Sequence, residues 1–174
     1  MTTTAAETLE IRPASWEDME TVANFIRSTA DWYRPFLEEE DMVEHDVPPE
    51  WKAKNFARRA FYLGVVDDQP VGTISLQDFG DYAYVGYVYL DADHVGNGYG
   101  RQLLDFAAGL ASRKGKEGLA LIAHPEATWA TKAYEKFGFE KESDEKQEIL
   151  EWNDGALEGY YEEGFELYLY RFDS

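Results

Sequence analysis

Three glycines at every second position follow an apolar, aromatic run and precede a helical pattern in the stretch YVYLDADHVGNGYGRQLLDF. They are Gly96, Gly98 and Gly100. Glycine permits close approach of the backbone to a ligand, and the first turn of a helix presents N–H groups beside the positive end of the helix dipole. Such a turn suits phosphate oxygens. A tight strand-to-helix turn would need the same glycines, so the pattern alone supports an anion site and a plain turn about equally.

Two other phosphate-binding motifs can be tested by their spacing. A dinucleotide-binding G-x-G-x-x-G motif would need a glycine where Leu103 or Arg101 stands, according to where it begins. A P-loop would need Gly-Lys-Ser or Gly-Lys-Thr, and the chain contains neither. Neither motif is therefore indicated.

The hydrophobic pattern places the glycines within an α/β fold. Residues 60–91 alternate as three strands joined by turn residues, which predicts an antiparallel meander. After the glycines come a helical stripe, the run LALIA, which is typical of a buried strand, and a helix that ends at Gly138. Further helices are predicted near residues 16–30 and 51–59. The 174 residues predict one domain, with a mixed, mostly antiparallel sheet of six or seven strands flanked by about four helices.

Two segments in this order of elements resemble a known family. VYLDADHVGNGYGRQLL followed by AYEKFGFEKES is similar to the GNAT superfamily of acyl-CoA-dependent N-acetyltransferases. The resemblance extends over nearly the whole chain, and it implies a GNAT-like α/β (α+β) domain at residues 1–174 with acetyl-CoA as cosubstrate. The family pattern of Gln or Arg, two residues, Gly, one residue, and Gly or Ala falls on residues 95–100. Val95 departs from its first position, but the family's pyrophosphate contacts are mostly backbone N–H groups, which any residue supplies.

The resemblance also implies roles for the preceding strand and for the later helix. The main chain of residues 88–90 would pair with the pantetheine arm, and the Leu90 N–H would polarise the thioester carbonyl. Tyr134 would protonate the departing CoA thiolate, although its position alone would favour a core aromatic. Ala127 stands where relatives often have asparagine. The implied CoA contacts are Val88, Tyr89, Leu90, Val95, Gly96, Asn97, Gly98, Tyr99, Gly100, Arg101, Ala127 and Tyr134.

The base that would deprotonate the amine is not evident. Relatives often place a glutamate on the third or fourth strand, but residues 82–90 contain no carboxylate and no histidine. Histidine titrates near neutrality, so His124, after LALIA, is the first catalytic candidate, although a histidine at a strand end is more often a structural donor or a substrate contact. No His, Asp and Glu residues show metal-ligand spacing, so no metal is expected. Weaker candidates for the base are Asp78, Asp81, Tyr84 and Tyr87.

The charge balance limits the partners. Acidic residues outnumber Lys plus Arg by 35 to 16, which gives a formal net charge of -19. This excess would repel nucleic acid and anionic membranes, so neither is expected as a partner. It either attracts a cationic amine or is a solvated surface suited to a salty cytoplasm, and the second is the commoner reason. The absence of cysteine and of a signal pattern predicts a cytoplasmic protein without disulfides.

Two acidic and aromatic segments lie where relatives build the acceptor cleft. One is residues 38–46 with Trp32, Tyr33 and Phe36 nearby, and the other is residues 143–163. Aromatic rings beside carboxylates would suit a cationic amine, but the same residues could be a salt-adapted surface with aromatic anchors. The alternating final strand could pair with a second copy as an exposed edge, so a homodimer is one expectation.

The sequence thus predicts transfer of an acetyl group from acetyl-CoA to a primary amine of a small molecule or peptide. One rival is a catalytically silent acyl-CoA-binding or regulatory module. Val95, Ala127 and the missing strand carboxylate favour this rival slightly, whereas Tyr134 favours an enzyme. A second rival is a related transferase that uses a longer acyl chain or a peptide N-terminus, because the cofactor motif does not distinguish these.

Overall fold

The computed structural model describes residues 8–37, 39, 42, 47–91, 94 and 97–172. The described helices are α1 (Met19–Ser28), α2 (Ala30–Tyr33), α3 (Pro49–Arg58), α4 (Tyr99–Arg113), α5 (Thr128–Phe137) and α6 (Lys146–Glu151), with a 3-10 helix at Trp152–Gly155. The strands are β1 (Glu10–Pro13), β2 (Ala60–Val66), β3 (Gln69–Phe79), β4 (Tyr82–Leu90), β5 (Gly118–Ala123), β6 (Glu140–Ser143) and β7 (Glu166–Arg171). Within these ranges no helix has the length and apolar composition needed to cross a membrane.

The seven strands form one open sheet in the order β1-β2-β3-β4-β5-β7-β6. The pairs β1 with β2, β2 with β3, β5 with β7 and β6 with β7 are antiparallel. The pair β4 with β5 is parallel. The predicted mixed, mostly antiparallel sheet of six or seven strands is therefore confirmed, and the meander at residues 60–91 consists of β2, β3 and β4.

The prediction that the last strand is an exposed edge is wrong. β7 pairs with β5 on one side, from Gly118 with Arg171 to Ala123 with Glu166, and with β6 on the other. Its residues 167–169 are buried, as expected for an inner strand. Alternation of side chains reports the two faces of a strand and says nothing about its neighbours. The edge is occupied instead by β6, which is short and mostly charged, as protected edges often are.

The chain divides into two compact units, Met1–Leu76 with Gly86–Phe106 and Gln77–Val85 with Ala107–Ser174. In the first unit, α1 and α3 cover β2 with a cluster that includes Met19, Ile26, Trp51, Phe61 and Leu63. In the second unit, the buried core consists of Tyr84, Ala120, Ile149, Leu157, Leu167 and Leu169.

The start of α1 is held by a small polar network. One oxygen of the Asp18 carboxylate accepts hydrogen bonds from the Ser15 backbone N–H at 2.8 Å, from Ser15 Oγ at 3.0 Å and from Arg12 Nη1 at 2.8 Å. The hydrogen bond from Arg12 is the main reason that the pKa of Asp18 is lowered to about 2. Because Arg12 belongs to β1, this network fixes the end of the strand to the beginning of the helix.

The acidic segment between β6 and β7 is more regular than its weak periodicity suggests. It contains α6 and the 3-10 helix, and Ile149 and Leu157 are fully buried. Asn153 and Asp154 have positive φ values of 51° and 58°, which Asn and Asp tolerate better than other residues with a Cβ. Asn153 Nδ2 also donates to the Phe79 carbonyl at 2.8 Å, which fixes the segment to the end of β3.

Candidate functional site

β4 carries three of the predicted cofactor contacts, Val88, Tyr89 and Leu90, at its C-terminal end. The parallel pairing of β4 with β5 covers Tyr82–Tyr84, and β4 continues beyond it to Leu90. Just past the strand, the Asp91 N–H donates to the Val71 carbonyl at 2.9 Å. A strand that continues past its paired segment is the arrangement that main-chain pairing with an extended ligand requires.

Tyr87 interrupts the regular alternation of β4. Its φ of 47° is left-handed, a conformation that is costly for a residue with a Cβ. Gly86 faces Ser75 and Arg59, and the next residue, Tyr87, packs against the cluster under α1 and α3. Two consecutive residues thus face the same side, as happens at a β-bulge. Trp51 supports the bulge, because its Nε1–H donates to Tyr87 Oη at 3.2 Å.

The described glycines of the loop differ in why they need to be glycine. Gly98 has a φ of 81°, so the turn itself requires glycine there. Gly100 lies in the first turn of α4 and is not among the described glycines with positive φ. A Cβ at Gly100 would meet Leu90 Cδ1 at 3.9 Å, which is an ordinary contact. The described neighbours of Gly100 therefore give no reason for glycine at this position, whereas close approach of a ligand would give one.

The other loop residues offer mainly backbone groups. The first amides of α4 precede its hydrogen-bond ladder, which begins where the Gln102 N–H donates to the Gly98 carbonyl at 3.3 Å. The Tyr99 side chain is buried. Asn97 Nδ2 donates to the His94 carbonyl at 3.4 Å, and the exposed Arg101 lies 3.9 Å from Asp105. Val95 and Gly96, also predicted contacts, lie outside the described residues.

In the second unit, His124 follows β5 and is buried. Its Nδ1 accepts a hydrogen bond from the Glu126 N–H at 3.1 Å, and its carbonyl accepts one from the Ala127 N–H at 3.0 Å. A neutral imidazole that accepts at Nδ1 carries its proton on Nε2. In this tautomer His124 is a donor at Nε2, and it would have to give up the Glu126 bond to accept a proton at Nδ1.

Ala127 and Tyr134 belong to the same helix region. Ala127 is buried immediately before α5. Tyr134 lies within α5 and is only half-buried, with its ring 5.8 Å from that of Phe139. A purely structural core aromatic would be expected to be buried, so the exposure of Tyr134 suits contact with a substrate.

Two of the weaker base candidates, Asp78 and Tyr84, have structural partners. Asp78 Oδ1 accepts hydrogen bonds from Lys116 Nζ at 2.5 Å and from the Gly80 N–H at 2.8 Å, and the Lys116 bond is the main cause of its lowered pKa. Tyr84 is buried and stacks on Phe79 with ring centres 4.8 Å apart. Among the described residues, no group of three or more His, Asp and Glu could hold a metal ion.

One residue near β4 was missed by the sequence analysis. The Arg59 guanidinium lies 4.6 Å from the centre of the Tyr87 ring. A Cβ at Gly86 would collide with Arg59 Nη1. The available signal was the isolated glycine inside the strand pattern YAYVGYVYL, since such a glycine often marks a bulge or a close approach.

The family assignment agrees with this geometry. The fold and the glycine turn at the start of α4 together define an α/β protein of the acyltransferase type. Residues 26–139, more than half of the chain, match the model of the acetyltransferase (GNAT) family. The chain belongs to this family. Comparison with curated protein sequences gives no match.

Several solved structures have folds similar to that of this chain. The PaiA N-acetyltransferase of Thermoplasma acidophilum, in complex with coenzyme A, has 19% identity and a TM-score of 0.73 over 95% of this chain and 100% of its own. A GCN5-related N-acetyltransferase of Rhodopseudomonas palustris has 18% identity and a TM-score of 0.74 over 98% and 100%. N-acetylglutamate synthase of Neisseria gonorrhoeae, complexed with coenzyme A and N-acetylglutamate, has 18% identity and a TM-score of 0.69 over 97% of this chain and 36% of its own. At these identities the similarity concerns the fold.

Proposed function

We propose that residues 1–174 form one N-acetyltransferase domain that transfers the acetyl group of acetyl-CoA to a primary amine of a small molecule or peptide. The observation that carries this proposal is Gly100, which none of its described neighbours requires to be glycine and which lies in the first turn of a 15-residue helix. Family membership and the CoA-bound state of a similar solved structure support it.

The residues around α4 fit the phosphates of CoA. The backbone amides of residues 98–101 lie at the positive end of the helix dipole, where anions are stabilised. Gly100 leaves this turn without a Cβ, and Arg101 adds an exposed cation to a strongly acidic chain. The main chain of Val88, Tyr89 and Leu90 would bind the pantetheine arm as an added strand. Val95, Gly96, Asn97, Tyr99 and Ala127 complete the proposed cofactor set.

The acetyl thioester supplies the acyl group, and the protein must stabilise an oxyanion and manage two protons. We assign the oxyanion contact to the Leu90 backbone N–H, since a fixed donor stabilises charge that develops in the transition state. We assign protonation of the thiolate to the half-buried phenol of Tyr134. His124 remains the first candidate for proton acceptance from the amine, on the condition that its Nδ1 bond to Glu126 is exchanged.

We assign binding of the acceptor amine to a row of aromatic side chains in the first unit. The Tyr33 ring lies 5.8 Å from Phe36 and 6.3 Å from Tyr89, and Tyr89 stacks 6.3 Å from Tyr87. All four rings are only partly buried. Most of the acidic segment at residues 38–46, which suggested a cationic amine, lies outside the described residues. The proposal includes a cytoplasmic location. It includes no nucleic-acid or membrane partner, because the excess of carboxylates would repel nucleic acid and anionic membranes.

Calorimetric titration with acetyl-CoA at low and at molar salt tests the proposal, with dephospho-CoA and a nicotinamide dinucleotide as controls. Micromolar binding of acetyl-CoA without binding of the dinucleotide is expected. A folded protein that binds no acetyl-CoA in either salt would refute the proposal. Binding without thiol release across a broad amine panel would instead support the catalytically silent acyl-CoA-binding module.

A further inference from the structure

Arg59, the residue before β2, lies over the interrupted part of β4. Its guanidinium carbon is 4.6 Å from the centre of the Tyr87 ring, and the side chain is half-buried. A Cβ at Gly86 would collide with Arg59 Nη1 and would lie 3.2 Å from Ser75 Oγ. Glycine weakens the interior of a strand. Gly86 therefore makes β4 less stable at the point where the guanidinium packs on its backbone.

The neighbouring groups restrict the orientation of this guanidinium. Trp51 Nε1 donates to Tyr87 Oη at 3.2 Å, which fixes the ring beneath Arg59. Ser75 Oγ donates to the Gly86 carbonyl at 2.8 Å, which holds β4 to β3 at this point. The attraction between a cation and the face of an aromatic ring depends on charge and distance and uses no hydrogen-bond acceptor of a ligand. Contact with the Tyr87 ring is therefore compatible with hydrogen bonds from the guanidinium to a polar ligand.

A guanidinium held in this way favours one kind of ligand group. Its planar fork matches the two oxygens of a carboxylate, and it is more weakly hydrated than the ammonium of a lysine. The same positive charge would repel a second ammonium group on an acceptor. The electrostatics around Tyr87 thus favour an acceptor that carries an anion in addition to its reacting amine.

We infer that Arg59 binds a carboxylate of the acceptor, so that the amine to be acetylated belongs to an amino-carboxylate such as an α-amino acid. The inference rests on the proposed function and makes its substrate class specific. Tyr87 and Leu90 are three residues apart on β4, a distance of about 10 Å along a strand. An N-acetylated α-amino acid can bridge this span, with one hydrogen bond between its acetyl oxygen and the Leu90 N–H and one between its carboxylate and Arg59.

The test compares acids with their amides. Thiol release from acetyl-CoA is measured for a panel of α-amino acids, each beside its α-amide and the corresponding decarboxylated amine. Wild-type protein is expected to favour the acids by about 10- to 100-fold in kcat/KM, the range that a charge-assisted hydrogen bond supplies. In Arg59→Gln the ratio should fall to about one, through a higher KM for the acids, while the rates for the amides stay unchanged.

Two further variants keep the test decisive. Arg58→Gln removes the same charge from the adjacent, exposed end of α3 and should retain the wild-type ratio. Arg59→Lys keeps the charge without the planar fork and should give an intermediate ratio, which decides the matter if Arg59→Gln does not fold in a thermal melt. The readout is a ratio of substrates, which a purely structural role of Arg59 would not move.

The other outcomes overturn the inference. Amides or plain amines that react as fast as the acids would overturn it while leaving the acetyltransferase proposal intact, and so would an unchanged ratio in folded Arg59→Gln. No turnover of any acid by a protein that binds acetyl-CoA in calorimetry would also overturn it. Failure to bind acetyl-CoA would remove the proposed function, and this inference with it.

Discussion

Gly100→Ala should have opposite effects on folding and on cofactor binding. The new Cβ would meet Leu90 Cδ1 at 3.9 Å, so the folded chain accepts it without rearrangement. Replacing glycine by alanine at a compatible helical position stabilises a protein by about 0.4 to 1 kcal/mol, mainly because the unfolded chain loses conformational freedom. For a chain of this size, 1 kcal/mol corresponds to about 2 to 4 °C in Tm. The melting temperature of the ligand-free protein should therefore rise by about 1 to 4 °C.

The same methyl group should weaken the binding of acetyl-CoA. If the ligand approaches the backbone at position 100, the Cβ occupies that path and at least one amide contact is lost. A loss of about 1.4 kcal/mol corresponds to a tenfold change in Kd, so we expect Kd to rise about tenfold or more. Thermal melting without ligand and calorimetric titration with acetyl-CoA measure the two effects independently.

Gly109→Ala provides a matched control within the same helix. Its Cβ would lie 3.3 Å from Arg113 Nη1, the mobile end of a long side chain, so the substitution should be tolerated. It should bring a similar gain in stability and leave the affinity for acetyl-CoA unchanged. The reasoning would be refuted if Gly100→Ala were as stable as Gly109→Ala and bound acetyl-CoA as tightly as the wild type. A marked loss of stability in Gly100→Ala would show instead that the glycine is structural.

Three further substitutions test individual side chains. Tyr134→Phe should lower kcat by about 100-fold or more, as expected for loss of a general acid. The calorimetric Kd for acetyl-CoA should stay within about twofold of the wild-type value, and an unchanged kcat would remove the phenol from the mechanism. His124→Asn keeps an acceptor for the Glu126 N–H but removes the group that we propose accepts the proton of the amine. Its kcat should therefore fall and the ascending limb of its pH profile should be lost; an unchanged kcat and pH profile would remove His124 from the mechanism. The pKa of Asp18 in the folded protein is about 2, below the ordinary value of about 3.9. The ion pair of Asp18 therefore stabilises the folded state fully above about pH 4, and this stabilisation is lost as the pH falls through about 2. Asp18→Asn should therefore lower the free energy of unfolding by about 1 kcal/mol at neutral pH, allowing for solvent screening. The difference in urea denaturation should shrink as the pH falls from 4 to 2; a difference that kept its full size at pH 2 would show that the ion pair is not its cause.

Most of the fold was predictable because its strands and helices differ in hydrophobic period. The meander of β2, β3 and β4 and the helix α4 each follow from an uninterrupted pattern, and the buried run LALIA falls within β5. The sequence was less informative about which strands lie next to each other in the sheet. Alternation in β7 reports which residues face each side of the sheet, and this pattern is the same for an inner strand and an edge. The segment that contains α6 was missed because six residues are too few for a periodic stripe.

The candidate site was predictable only in part, for a physical reason. Glycine spacing is a backbone signal, so it indicates residues 96–100 as a candidate anion site without any structure. Arg59 was not identified, because the isolated glycine in YAYVGYVYL indicates a close approach without showing which side chain makes it. The sequence likewise gives the position of His124 after the buried strand but not the hydrogen bond that its Nδ1 accepts from the Glu126 N–H.

The strain at Tyr87 links the two sides of the proposed site. A left-handed residue with a Cβ costs on the order of 1 to 3 kcal/mol and persists only where its surroundings determine it. Here the ring receives a hydrogen bond from Trp51 and lies under Arg59 at 4.6 Å. The interruption turns Gly86 and Tyr87 toward the same face, while the Leu90 side chain points toward Gly72 and Gly100. In a strictly alternating strand Gly86 would share the face of Leu90. The interruption instead turns Gly86 to the face where Arg59 lies, opposite the face on which the Leu90 side chain packs beside the proposed cofactor loop.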